Sequence, residues 1–255
     1  MSQASHGTNP LDGYLDAYGD SFPYHRENLA LLATYAEFLR ETIERRRSRS
    51  VLSLGIGHSI VAQSIAALIP ATLRSYRIVE GSPAAVQRFR ETQPESASEI
   101  VLSLFETFDT ARRYDMIEMG FVLEHVADPE LVLRRFTGFL AAGGVVIAAV
   151  PNALSLHRRL GHAAGLLADP YALSAGDRAL GHRRYFDMTS FTALTLRCGL
   201  RQHRAAGLML KPFSTAQLDL LDLSPAVWQA LCSESRHLPE IANAFAVELE
   251  PAAEP

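Results

Sequence analysis

The chain is short of cysteine, of positive charge and of long apolar runs, and each shortage removes a class of protein. Its two cysteines, Cys198 and Cys232, offer neither a disulfide framework nor a metal-ligand spacing, which fits a reducing cytoplasm. Lysine and arginine number 24 against 28 aspartates and glutamates, for a formal net charge of -4. No global basic field therefore gathers a phosphate backbone, and nucleic acid is not an expected partner. The short basic run Arg45-Arg46-Arg47 reads as a solvated helix face. The opening stretch MSQASHGTNPLDGY is polar and lacks the apolar core of a signal peptide. The longest apolar run, Phe139 to Val150, is too short to cross a bilayer and is broken by Gly143-Gly144, so no membrane role is expected. Internal repeats are absent, and low complexity is confined to the tail EPAAEP.

What is present is enough apolar material for one large core: 255 residues, 48% hydrophobic. Strand and helix patterns alternate along it. Residues 27–47 carry apolar side chains at helical spacing, followed by the short strand VLSL and the helix SIVAQSIAALI. YRIVEG reads as a second strand, PAAVQRFRE as a helix, EIVLSLF as a third strand and YDMIEMG as a fourth. DPELVLRRFTGFLAAGG reads as a helix capped by Asp128, with Pro129 at its first position and glycine at its end. VVIAAVPN is a fifth strand, and residues 211–248 read as a closing helix and a last strand. This alternation predicts a parallel sheet covered on both faces, with ligands bound beyond the carboxyl ends of the strands.

The first strand runs into VLSLGIGHS, where two glycines one residue apart let a ligand lie against bare backbone at a helix N-terminus. Glu80, at the end of the second strand, sits where an acid binding ribose hydroxyls is expected, about 20 residues on. A dinucleotide fingerprint would require glycine at position 60, but the residue is Ile60, so an adenosyl compound without a pyrophosphate fits better than NAD.

VLSLGIGHS, IVEGSP and the block YDMIEMGFVLEHVADPELVLRRFTGFLAAGGVVIAAVPN together resemble the class I S-adenosylmethionine-dependent methyltransferases over about residues 50–210. The most specific part is Leu123-Glu124-His125 followed by Asp128-Pro129. The resemblance implies a Rossmann-like, doubly wound α/β fold of seven strands, mostly parallel with an antiparallel last strand, and helices on both faces. It also implies one domain over 1–255, divided into an N-terminal lid and helix (1–47), a cofactor-binding core (48–151), a substrate-side insertion (152–186) and closing helices and strands (187–250). S-adenosylmethionine is the implied cofactor, with S-adenosylhomocysteine as its product, and no metal is expected. By the same resemblance Gly55 and Gly57 pass the methionine part, and Glu80, with Gly81 beside it, takes the ribose. Phe105 and Glu106 flank the adenine, and Met119 and Gly120 line the methionyl and adenine side. Two positions depart from the family pattern: Ser53 stands where an acid usually meets the cofactor's amino group, and Ser59 replaces the last glycine.

Methyl transfer is an in-line displacement that demands alignment and exclusion of water, plus a base when the acceptor carries a proton. His125, just past the fourth strand, and His182, in the insertion, are the candidate bases. His58 is expected to face solvent, while His157 and His162 mark the polar face of a basic helix. Tyr14, Tyr18 and Tyr24 in the N-terminal segment are candidate substrate contacts from a lid. Among Arg158, Arg159, Arg178, Arg183 and Arg184, Arg183 is the candidate to hold a substrate anion. The expected activity is methylation of an oxygen or nitrogen of a small molecule, such as a secondary metabolite, sugar or modified amino acid, in a protein that could form a homodimer. A catalytically silent adenosyl-binding partner or regulatory subunit is the alternative. A nicotinamide oxidoreductase is disfavoured by Ile60 and by the lack of a Tyr-x-x-x-Lys pair.

Overall fold

The computed structural model describes Leu11 and residues 24–252. Its frame is set by strands apolar on both sides. In β1 (Ser50–Leu54) and β4 (Tyr114–Gly120), neighbouring residues enter opposite cores. Val51 and Met116 pack on one face, and Leu52 and Ile117 on the other. Such strands survive only between two helical layers. α1 (His25–Arg46), α2 (Ser59–Ala66), α3 (Pro83–Thr92) and α9 (Pro225–Ser235) supply one layer; α4 (Pro129–Thr137) and α7 (Met188–Arg197) supply the other.

With β2 (Ser75–Glu80), β3 (Glu99–Leu102), β5 (Leu140–Pro151), β6 (Leu200–Leu208) and β7 (Ala244–Pro251), the sheet order is β3-β2-β1-β4-β5-β7-β6. β1 to β5 run parallel, and β7 runs antiparallel to both β5 and β6. The expected seven-stranded α/β sheet with an antiparallel last strand is therefore observed. The order reverses between β1 and β4, which opens a crevice at their carboxyl ends. Helix starts follow local chemistry: Ser82 with Pro83 caps α3, and Asp128 with Pro129 caps α4.

Four sequence expectations are corrected. α4 stops at Thr137, not at Gly143-Gly144, because Leu140 already pairs with Tyr114 in the sheet. Those glycines serve a register shift: Gly143 has φ +74°, and a Cβ on Gly144 would lie 2.9 Å from the Tyr114 carbonyl oxygen. The third strand ends at Leu102, which leaves Phe105 and Glu106 in the turn after it. Arg45 and Arg47 are exposed as expected, but Arg46 is only partly so, and Arg45 and Arg46 are both paired. They embrace the fully buried Glu248 of β7, with Arg46 Nε donating at 2.5 Å. The region after β6 holds two helices, α8 (Thr215–Leu220) and α9, before β7. No helix among the described residues is long and apolar enough to cross a membrane.

Between α4 and the sheet lies an aromatic group centred on the fully buried Phe136. It stacks on Phe108 at 5.6 Å and meets Phe105 and Phe139 edge-on at 6.2 and 5.6 Å. Phe136→Ala is expected to lose roughly 3–5 kcal/mol of stability, measured by denaturant unfolding. A loss below ~1 kcal/mol would show that the ring is not a packing centre.

Candidate active site

A cavity of about 1140 Å³ opens at the carboxyl ends of β1, β2 and β4. It exceeds the ~300–1,000 Å³ of a pocket for one small ligand, so two reactants can share it.

On its first side, the turn after β1 has Gly55 at φ +79° and Gly57 at φ +51°, both in the left-handed region. A Cβ on Gly57 would meet nothing within 4 Å and would enter open space. The Glu80 carboxylate accepts from the backbone amides of Ile56 (2.9 Å) and Ser82 (2.8 Å), fastening the turns after β1 and β2 to each other. Phe105 and Glu106 border the same space, with the Phe105 ring 3.9 Å from a Cβ built on Gly55. Bare backbone, a carboxylate at the strand end and an aromatic edge together form a set that fits an adenosyl group.

Not every expected residue reaches the cavity. Ser53 is 1% exposed, lies outside the lining and accepts from the Tyr76 hydroxyl at 3.1 Å. Met119 is turned by strand alternation into the core on the far face of the sheet. Gly81 and Gly120 do line the cavity, but their missing side chains make room for protein. A Cβ on Gly81 would lie 2.7 Å from Leu11, and one on Gly120 would lie 2.3 Å from the Tyr35 ring. Beside Ser53, the register of β1 on β4 places Glu118, which the sequence reading missed. Its Oε1 accepts from the Tyr35 hydroxyl (2.9 Å) and from the Gly120 amide (2.7 Å). Burial raises its pKa, while hydrogen bonds from Ser53, Gly120 and Tyr35 pull the other way.

The opposite wall is built from the turn after β4 and the segment near α6 (Ala175–Ala179). His125 and His182 meet edge to face at 4.8 Å. The Arg183 amide donates to the Glu124 carbonyl at 2.9 Å. The Arg184 guanidinium grips the carbonyls of Leu123, Val126 and Ala127 at 2.5 to 3.1 Å. His182 Nδ1 lies 3.4 Å from Asp177. Burial works to raise the Asp177 carboxyl, but the His182 imidazole beside it and hydrogen bonds from Ser174 and Tyr185 hold it well below the usual range. His125 is lowered to about 3 by burial and then by the neighbouring His182 charge, so it is neutral at physiological pH. Glu124 is fully buried, neither of its oxygens has a hydrogen-bond partner from another residue, and burial raises it to about 7. One nitrogen or oxygen of each of Glu124, His125 and His182 lies within 4.8 Å of the others.

Tyr14 and Tyr18 lie outside the described residues, whereas Tyr24 and Arg183 line the cavity. His58 caps α2 by accepting from the Ile60 amide at 3.3 Å. His157 is corrected from a polar helix face to the cavity wall, where burial, then Lys211 and Arg158, lower it to about 3. Arg158 is buried and spent on the carbonyls of Pro170 and Ala172 and on Tyr185. In the lining itself, Lys211 and Glu27 form a buried ion pair at 2.7 Å that joins α1 to the chain after β6.

A protein-family model described as "Methyltransferase domain" matches residues 24–204. No curated protein matches in sequence. Among solved structures, the N-methyltransferase NodS from Bradyrhizobium japonicum WM9, in complex with S-adenosylhomocysteine, aligns with TM-score 0.52 and 15% identity over 92% of this chain and 90% of its own. The CcbJ methyltransferase from Streptomyces caelestis gives TM-score 0.55 and 17% identity over 93% and 96%. The plantazolicin methyltransferase BpumL, in complex with S-adenosylhomocysteine, gives 0.59 and 14% over 96% and 91%. The family match over most of the chain, on this sheet order, shows that the chain belongs to the class I S-adenosylmethionine-dependent methyltransferases.

Proposed function

We propose that this enzyme methylates an oxygen or nitrogen of a small molecule, with His125 and His182 receiving the acceptor's proton. One observation carries the reading: the paired imidazoles and the Gly55-Gly57-Glu80 side border the same cavity. The cofactor supplies an electrophilic methyl group on a sulfonium. Glu80 would take the ribose hydroxyls, and the Gly55–Gly57 turn would pass the methionine part. Phe105 and Glu106 would border the adenine. Burial holds His125 neutral and makes it a weak base, so proton acceptance would lean on its contact with His182, whose Nδ1 lies 3.4 Å from the Asp177 carboxylate. Tyr24 and Arg183 would contact the acceptor. The net charge of -4 supports a small molecule over nucleic acid, and the names of NodS and the plantazolicin enzyme support a metabolite.

Calorimetry with S-adenosylhomocysteine and turnover against a metabolite panel test the reading. Binding without turnover on any acceptor would turn it into a silent adenosyl-binding partner. Glu80→Ala is expected to weaken cofactor binding by about 1.5–3 kcal/mol, and unchanged affinity in the folded variant would remove Glu80 from the site. His125→Ala and His182→Ala should each lower turnover by about 10²-fold or more with little change in cofactor affinity. Full activity in both would leave alignment alone as the mechanism.

Glu124 gives a pH test. Its folded pKa lies above the ordinary carboxyl value, so the stability it contributes is complete at low pH and is lost as pH rises through about 7. His125 has the opposite sign, its contribution being lost as pH falls towards about 3. Relative to the parent, Glu124→Gln should match the melting temperature at pH 5 and exceed it by pH 8. Parallel melting profiles would overturn the assignment.

A further inference from the structure

Ser53 removes an acid from β1, and the adjacent strand supplies one. Ser53 and Glu118 are direct partners in the parallel β1–β4 pair, on the same face of the sheet, so their side chains start about 4.8 Å apart. Ser53 is shut away under Tyr76, whereas Glu118 lines the cavity beside the Gly55 turn. The carboxylate is 4% exposed, and all its partners are neutral donors: Tyr35, Ser53 and the Gly120 amide. Among the described residues no lysine, arginine or histidine forms an ion pair with it, although Glu27, Glu248 and Asp177 all have cationic neighbours. A buried carboxylate with hydrogen bonds but no counter-charge is costly unless a ligand brings the positive group.

We infer that Glu118 replaces the missing acid at position 53 and receives the ammonium of the cofactor's amino-acid end. The inference rests on the cofactor assignment and adds a residue to it. The carboxylate is already oriented: the Tyr35 hydroxyl and the Gly120 amide fix Oε1, and Ser53 braces the group from β1. Gly120 keeps that geometry, since a Cβ there would lie 2.8 Å from Oε1 and 2.3 Å from the Tyr35 ring. The glycine that ends β4 thus preserves the acid's setting.

Two ligands separate this role from a structural one. S-adenosylhomocysteine carries the ammonium, and 5′-methylthioadenosine shares its adenosyl thioether but lacks the amino-acid end. By calorimetry, Glu118→Gln should weaken S-adenosylhomocysteine by ~10- to 100-fold and leave 5′-methylthioadenosine within about twofold, because the amide oxygen keeps the Tyr35 and Gly120 bonds. Unchanged S-adenosylhomocysteine binding in a Glu118→Gln protein that melts normally would overturn the inference. So would an equal loss for both ligands. A parent protein that binds neither ligand would overturn the cofactor assignment as well.

Discussion

A parallel pair of strands apolar on both sides leaves polar chemistry one outlet, the carboxyl edge, and the rest of this molecule is arranged around that restriction. Between the helical layers, β1 and β4 have no room for a hydrated side chain except where the chain leaves the sheet. The glycine turn, Glu80, Glu118 and the Glu124-His125 turn all occur within a few residues of a strand end. The reversal of strand order between β1 and β4 then separates the turns enough to make a cavity. The chemistry is close together in space because the core excludes it elsewhere.

Burial shapes the site's electrostatics. The two acids on the β4 side differ in their company: Glu118 has neutral donors, and Glu124 has no donor from another residue. Asp177, also buried, is stabilised as an anion by hydrogen bonds from the Ser174 and Tyr185 side chains and by the nearby His182 imidazole. Three carboxyls around one cavity therefore have three different protonation tendencies, set by hydrogen-bond supply rather than by residue type. Burial keeps His125 neutral, so it takes up a charge only where the cavity's contents stabilise that charge.

The sheet was legible because apolar runs, glycines and caps are local signals. Val51 to Leu54, Ser82-Pro83 and Asp128-Pro129 each carry their own structural meaning. The end of α4 was misread because Gly143-Gly144 resembles a helix stop, and only the pairing of Leu140 with Tyr114 shows that the strand has already begun. In the site, Gly55, Gly57 and Glu80 were readable as a motif. Glu118, Glu124 and Asp177 were not, since their importance depends on strand register and on which neighbours lack or supply a donor. The second acid of YDMIEMG, set between Ile117 and Met119, was the one available signal for Glu118. Ser53 misled for the same reason: its motif position is visible in the sequence, but the Tyr76 hydroxyl that occupies it is not.

The grip of Arg184 on the turn after β4 uses main-chain carbonyls of Leu123, Val126 and Ala127. Every residue type presents a carbonyl, so this attachment does not depend on which side chains the turn carries. Side chains on the turn, and those other than Arg184 on the segment bearing His182 and Arg183, can be exchanged without loosening the seam that aligns them. Acceptor preference in such an architecture is free to diverge residue by residue, while the distance between the reacting partners is inherited from the backbone.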